Sequence, residues 1–422
     1  MKKTILFLIV CMGINALFSF GTPSSAPFAN SYLQRATGVE AVYWNPANIP
    51  NIPTSFEIMS FSAVGSFENN MLSLDLYNRI MGQFLDEEIK MEMLDAIDKN
   101  FSFGVNANSI LAAVSYENFA YSTGVNVAGR GKVDKQFLEL ILIENDYDKV
   151  YDFTAENNDF LALGYQDFTV GYGGFHLNQF FNNGDNFPNI YAGMSMSFLM
   201  GYYMAEMTHF DGVLSTDDVN GLVLDQYTDI KTGQMGTGFK MSLGFSMDAV
   251  NFAENHYITA GLSFDNLFAS MRWRNNTEMR EYHIYSNNYF FNHLEKDIWE
   301  EDEETYDIDS FISRLPFILR LGGLYRQNDF SASLDYAHNF GNSKAFNYDP
   351  NISMGLEYVI HNNFPVQVGF RLPIGDLNAI CSMGAGYRHR NFEIGLAYQS
   401  FDAFYSNQTK GLAYSMYMKG RF

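Results

Sequence analysis

The last twelve residues, GLAYSMYMKGRF (411–422), put Leu412, Tyr414, Met416, Met418 and Phe422 on one parity. Ala413, Ser415, Tyr417, Lys419 and Arg421 take the other. Strand side chains alternate between faces with a period of two, so this stretch reads as a strand with one apolar and one polar face. Soluble domains usually fray at their termini, yet here the alternation runs up to a terminal aromatic. A chain ending this way is constrained to a β architecture in which whole strands are apolar on one side.

The pattern recurs upstream. Phe392, Ile394, Leu396 and Tyr398 alternate with Glu393, Gly395, Ala397 and Gln399, and Ile352, Met354, Leu356 and Tyr358 enclose Ser353, Gly355 and Glu357. The same holds for Phe330–Tyr336, Phe317–Leu321, Val366–Leu372, Phe239–Met247 and Ile190–Met200. Lys240, Arg320, Asp335, Glu357, Arg371, Glu393 and Lys419 all fall on the non-apolar parity. A lipid-facing charge at mid-membrane costs roughly 2–4 kcal/mol, so this parity is what a transmembrane barrel requires. A soluble sandwich alternates too, with its apolar face inward. The connections separate the two: short turns such as RHRN (388–391), RQND (326–329) and ENF (117–119) alternate with long polar loops, as in a transmembrane barrel. The aromatic-ended final strand resembles the terminal signal of bacterial outer-membrane barrels.

Strands are predicted near 55–65, 106–116, 118–128, 165–177, 189–203, 236–248, 256–268, 316–325, 329–337, 351–360, 365–372, 379–388, 391–399 and 411–422. That makes an all-β, antiparallel barrel of about fourteen strands, an even number as single-chain bacterial barrels have. The expected organisation is a signal peptide over 1–21, an N-terminal hatch or plug over 22–54 and the barrel over 55–422. Lys2 and Lys3, an apolar run from Ile5 to Phe20 and small Ser19 and Gly21 describe the secretory signal. Val10 is too large for a lipoprotein cleavage site before Cys11. No later apolar run approaches the ~20 residues of a spanning helix. The bacterial outer membrane is the expected location, with outer-membrane lipid as a partner and the C-terminal Phe422 addressed to the barrel-assembly machinery.

The formal charge is -22, or -24 once the two signal lysines are removed. Nucleic acid is therefore not an expected partner, because phosphate binding needs clustered Lys and Arg. With Cys381 alone in the mature chain, no internal disulfide can form. No G-x-S-x-G, H-E-x-x-H, C-x-x-C or Gly-rich phosphate loop is present, and the histidines are scattered. Neither enzyme activity, a metal site nor a cofactor is expected. LDEEIKMEMLDAIDKN (85–100) reads as a rim helix, with Asp86 as cap and Ile89, Met93 and Ile97 as one stripe. It would serve either as a gate or as a shield for the rim. EKDIWEEDEETYDID (295–309) is an acidic run whose spacing matches no calcium loop, which leaves a solvated charge block.

A barrel this wide is not filled by wall side chains alone, so 22–54 is expected to close it. AVYWNPANIP (41–50) is too rich in proline and turn chemistry for a strand or long helix. Its Trp44-Asn45-Pro46-Ala47 resembles the NPA motif in the hatch of the FadL-like family of outer-membrane channels. LPFILRLGGLY (315–325) and FSASLDY (330–336) also look like that superfamily's later strands. The chain departs from the pattern in carrying YLQRATGVEAVYW where relatives have a Gly-rich run, and in its short hatch.

The resemblance implies a fourteen-stranded barrel for passive uptake of hydrophobic small molecules such as long-chain fatty acids. Trp44, Asn45, Pro46 and Ala47 would then form the gate, or else a turn that tucks the N-terminus into the barrel. The PorV-like branch implies the alternative, an outer-membrane scaffold or shuttle of a secretion system that binds exported proteins. Arg320 and Arg371 are expected to point inward. They would hold a ligand carboxylate or join Asp335, Glu357 and Glu393 in a lumenal ion network.

Overall fold

The computed structural model describes residues 21–422 apart from 83, 144, 155, 179–187, 220, 290–299, 341–349, 375–377 and 403–405. The expected signal segment, all but Gly21, lies outside the described residues. Fourteen strands close into one antiparallel barrel. They are β1 (Phe56–Asn69), β2 (Asn100–Tyr116), β3 (Phe119–Asp134), β4 (Asp159–His176), β5 (Ile190–Asp217), β6 (Thr237–Met247) and β7 (His256–Trp273). β8 (Phe317–Gln327), β9 (Phe330–Phe340), β10 (Asn351–Ile360), β11 (Phe364–Pro373), β12 (Ile380–Arg388), β13 (Phe392–Phe401) and β14 (Gly411–Arg421) follow. β1 pairs with β14 from Glu57↔Arg421 to Glu68↔Gly411, which closes the ring. Every predicted strand overlaps an observed one.

The apolar parity faces outward. Leu334, Leu372, Met383, Leu396 and Tyr414 are exposed on the outer wall. Ser333, Ser353, Gln367, Ser382, Gln399 and Ser415, on the opposite parity, are buried inside. The short turns all lie at one rim, and left-handed residues make several of them: Glu117, Asn255, Asn328, His361 and Asn362 have positive φ. Aromatic pairs circle that rim, including Phe119–Tyr172 at 4.9 Å, Tyr325–Phe330 at 6.3 Å, Phe364–Tyr387 at 5.2 Å and Phe56–Phe422 at 6.2 Å. Toward the opposite end Phe317–Phe340 and Phe264–Phe317 form a second group, at 5.5 and 6.1 Å. Ten residues of β9 separate Phe330 from Phe340, about 25 Å along the axis for a strand tilted as in such barrels. This matches the apolar band of an outer-membrane barrel. Leu396→Arg, on the outer face in mid-strand, is expected to destabilise the barrel by roughly 2–4 kcal/mol, and Phe392→Arg at the rim by about 0–1 kcal/mol. Urea titration of folding into phospholipid vesicles measures both.

The long-loop side carries its own structure. β5 runs 28 residues, well past the band. Its outer half pairs on one side with Val150–Thr154 and on the other with Gly221–Gln234. That strand continues to Asn275–Tyr289 and then to Glu300–Asp307. The acidic run thus ends in an exposed edge strand, and like charges such as Glu281 and Glu304 face each other across it. A charged edge resists pairing with another sheet. The predicted rim helix is Glu87–Asp95, with Asp86 Oδ1 accepting from Ile89 N at 2.9 Å. Met93 and Ile97 bury into a cluster with Met71, Leu76 and Leu142, shared with helices Leu74–Ile80 and Lys135–Leu142.

Candidate functional site

Residues 22–54 lie inside the barrel and cross its waist. Short turns of 3₁₀ helix at Pro23–Phe28, Gly38–Glu40 and Pro46–Asn48, with a single α turn at Ala41–Trp44, keep the segment compact enough to fit. Ala29, Leu33, Val39, Ala41, Asn45 and Ile49 have no exposed surface. At one wall Ser382 Oγ and Gln399 Nε2 donate to the Pro27 and Ala26 carbonyls at 2.9 and 2.7 Å. Across the lumen Ser195 Oγ donates to Val42 O at 2.8 Å, and Asn45 Nδ2 to Phe245 O at 2.9 Å. Between these walls, Leu33 N donates to Asp335 Oδ2 at 2.8 Å and Tyr43 Oη to Asp167 Oδ1 at 2.8 Å.

The Asn45-Pro46-Ala47 turn has a dedicated bed. Asn45 Oδ1 caps it by accepting from Ala47 N at 3.2 Å. Beneath it, inward-facing Gly173, Gly193 and Gly244 let backbone meet backbone. A Cβ at Gly193 would land on the Pro46–Ala47 peptide, and one at Gly244 on Asn45 and the Pro46 ring. Ordinary side chains there would push the turn off the wall.

Around the short-turn end the segment is held by charge. Lys419 pairs with Glu40, which also accepts from Tyr32 Oη at 2.9 Å. Arg421 bridges Glu57 and Glu393, each at 2.9 Å, and Arg388 bridges Glu357 and Glu393 at 3.2 and 3.1 Å. The predicted residues therefore divide into two groups. Arg320, Asp335 and Arg371 stand together with Trp44 around a cavity of about 40 Å³. Glu357 and Glu393 lie lower, sharing Arg388. Arg320 also pairs with Asp265, a residue outside the expected set, and its guanidinium lies 4.8 Å over the Trp44 ring. Lys419 and Arg421, read from the sequence only as polar-face residues, belong to the network, and Glu40, Glu57, Asp265 and Arg388 are members that reading from the sequence did not single out. Asp265 carried a legible signal, a carboxylate on the non-apolar parity with Ser263, opposite Leu262 and Phe264.

A cavity of about 70 Å³ opens above Tyr43 and Trp44, lined also by Asn108, Asn126, Tyr165, Asp167, Lys240, Asp265 and Arg320. Tyr165 links it to a buried apolar cluster made of Leu161, Leu163, Leu199, Met204, Met271, Trp273 and Leu315. Beside both, the wall is irregular. β7 loses register with β6 between Phe264 and Leu267 and again before Ser270. On its other side the ladder stops at Asp265↔Ile318 and resumes only at Ser270↔Arg314. Asn266 and Phe268 take φ of 59° and 55° within this gap. Such a φ is strained for phenylalanine, and its side chain is 82% exposed. Pro316 offers no N–H to the facing strand. Two bonds bridge the seam: Leu315 N to Ala269 O at 3.2 Å, and Asn266 Nδ2 to Pro316 O at 2.9 Å.

One face of the outer sheet continues the lumenal wall. Lys231 pairs with Glu206 at 2.9 Å and lies 4.8 Å over the Phe311 ring, which packs on the apolar cluster. Beyond Lys231, strand register places Asp225, Tyr227, Asp229, Glu281, His283, Tyr285, Glu300, Asp302 and Glu304 on that same face. Burial and the Glu281 carboxylate push the Asp229 carboxyl above its usual range.

Fold and site together define a membrane-spanning barrel of the outer-membrane kind, with a lumen closed at the waist by its own N-terminal segment. No family model matches the chain, and no curated protein does. Among solved structures it is similar to a FadL homologue of Pseudomonas aeruginosa, at 10% identity, TM-score 0.49 and 97% and 100% of the two chains. It is also similar to the toluene transporter TodX of P. putida, at 9% identity, TM-score 0.47, and 94% and 95%. CymD, a monoaromatic hydrocarbon channel, gives 11% identity, TM-score 0.43, and 91% and 93%.

Proposed function

We propose that this chain is an outer-membrane channel for the passive uptake of hydrophobic small molecules. The observation that carries the reading is the stacking, in one lumen, of a buried apolar cluster on a small polar cavity over a sealed waist. A ligand would lodge its tail among Leu161, Met271 and Trp273 and its polar end beside Tyr43 and Trp44. The waist is sealed by bonds to strands all round the wall, so release straight through it would require wholesale unseating. The β7–β8 seam is the easier way out, because only two hydrogen bonds bridge it among the described residues. No energy source is needed: transfer from lumen to lipid runs down the ligand's own gradient. Long-chain fatty acids are one candidate class. Lipid would meet the outer wall, and Phe422 would be read by the assembly machinery.

The test is a reversible lock. In a Cys381→Ser background, Ala269→Cys with Leu315→Cys is expected to cross-link the seam and abolish uptake of a labelled hydrophobic compound by expressing cells. Reductant should restore it. Uptake that is indifferent to the cross-link would reject the lateral route, and absence of uptake by the parent chain would reject the channel.

One observation favours the scaffold reading instead. The waist is fully occupied and a large sheet projects outside, as a display platform for exported proteins would require. Exported proteins retained by the intact barrel but lost when Gly221–Gln234 and Asn275–Asp307 are removed would support it.

A further inference from the structure

We infer that the helical layer on the long-loop side lies on the membrane surface, with Tyr77, Met81 and Phe84 set into the outer leaflet. The occupant of this surface is lipid, whatever the lumen carries. The layer packs on the face of the wall that lipid covers lower down. On β2 the outward row of Ser109, Ala107 and Val105 continues into Phe103 and Phe101, and on β1 the row of Gly65 and Phe67 continues into Asn69. The Phe103 ring lies across the outward side of Gly131 on β3. Phe101 packs against the cluster of Met71, Leu76, Met93, Leu94 and Ile97 that the helices form. The third helix, Lys135–Leu142, sits on the same side. Its Phe137 and Leu140 pack on Tyr151, Phe153, Leu214 and Leu222, and Leu214 faces away from Asp225 and Tyr227 on the outer sheet.

Strand length gives the depth. Counting from Tyr116 at the short-turn rim, the ten residues that span the band on β9 reach Asn106 on β2. Phe103 and Phe101 therefore stand roughly 7–12 Å above the band, which is headgroup depth. The first helix, Leu74–Ile80, starts at this level, where Leu74 N donates to Thr409 O at 2.9 Å beside β14. Its Leu76 and Ile80 face the cluster. Tyr77 and Met81 lie one turn apart, joined by Met81 N donating to Tyr77 O at 3.0 Å, and so share another face. Met81 is 58% exposed, and Phe84, past the positive-φ Gly82, is 83% exposed. Apolar side chains held at this depth sink into the boundary between headgroups and acyl chains. Charge on the layer does not oppose this. Arg79 bridges Asp75 and Glu92, while Glu87 and Glu88 sit in the first turn of the second helix, where its dipole favours them.

Spin labelling tests the placement. In a Cys381→Ser background, a nitroxide is attached at Phe84→Cys, at Leu396→Cys on the lipid-facing wall, and at Val219→Cys, an exposed tip beyond the 28-residue β5. Each full-length barrel is reconstituted in vesicles of phosphatidylethanolamine and phosphatidylglycerol. Relaxation of the label by oxygen, which concentrates in lipid, is compared with relaxation by a water-soluble nickel chelate. The oxygen-to-nickel ratio at position 84 is expected to exceed that at 219 several-fold and to lie on the side of 396. If the label at 84 disturbs assembly, Met81→Cys takes its place with the same expectation. A ratio equal to that at 219 would stand the layer in water and overturn the inference. Protection from both probes also overturns lipid as the occupant, and spectral broadening that disappears on dilution with unlabelled protein would identify a second copy in its stead.

Discussion

Deleting residues 22–54 is expected to convert the barrel into a permanently open pore, with conductance across a planar bilayer rising by about an order of magnitude. The diameter of a closed sheet grows with strand number, and fourteen strands leave more room than wall side chains fill. Here the wall has given up filling it. Many of the inward positions that meet the segment are small: Gly173, Gly193, Gly244, Gly369, Gly384, Ser333 and Ser382. With the segment gone, these small positions leave open the space held by Phe28, Tyr32 and Trp44, whose rings meet across the waist, tilted and then edge-on, with centroids 5.7 Å apart in each successive pair. Assembly should survive, because the ladder from β1 through β14 contains no residue of 22–54. A graded version is Gly193→Leu, whose side chain would collide with the Pro46–Ala47 peptide and unseat the turn while the rest of the plug stays. It should give intermittent openings rather than a steady pore. Equal conductance for the deletion and the parent would show that the wall, not the segment, seals the lumen.

The barrel was legible because its physics is one-dimensional. Lipid on one side and a polar lumen on the other impose a strict two-residue alternation, and every residue in the band reports its own side. Where lipid stops, so does the signal. β5 was expected to end near 203 and runs to Asp217, since its outer half pairs with other loop strands and has no lipid row to keep. The strands over 221–234, 275–289 and 300–307 have no lipid row to report for the same reason. The rim helix could be seen through its Asp86 cap and its stripe; its partner helices Leu74–Ile80 and Lys135–Leu142 were not singled out, although Ser73 and Asp134 cap them in the same way. For the lumen, parity said which charges point inward and nothing about whom they meet. That Arg320 meets Asp265 depends on height and azimuth in a closed ring. Neither is written in a single strand.

Glu40→Ala is expected to loosen the plug more than any other single side-chain truncation in it. Glu40 is fully buried and Lys419 is 4% exposed, so the substitution leaves an ammonium in the lumen wall with its partner removed. Breaking one half of a buried pair costs about 3–5 kcal/mol, whereas replacing both halves by apolar groups is often nearly neutral. The surrounding acids give little relief. Glu393 already serves Arg388, Arg421 and Tyr417, and Glu57 is engaged by Arg421 and by Val39 N at 3.3 Å. Tyr32 Oη also loses its acceptor. Hydrogen exchange over Gly38–Asn48 should therefore rise by a factor corresponding to about 3–5 kcal/mol of lost seating, with the barrel strands unaffected. Adding Lys419→Met to Glu40→Ala should restore most of the protection. If the single and double variants exchange alike, the lysine finds another partner and the pair does not hold the segment. If only the single variant flickers open in a bilayer, the bond between the plug and the final strand is what keeps the waist shut.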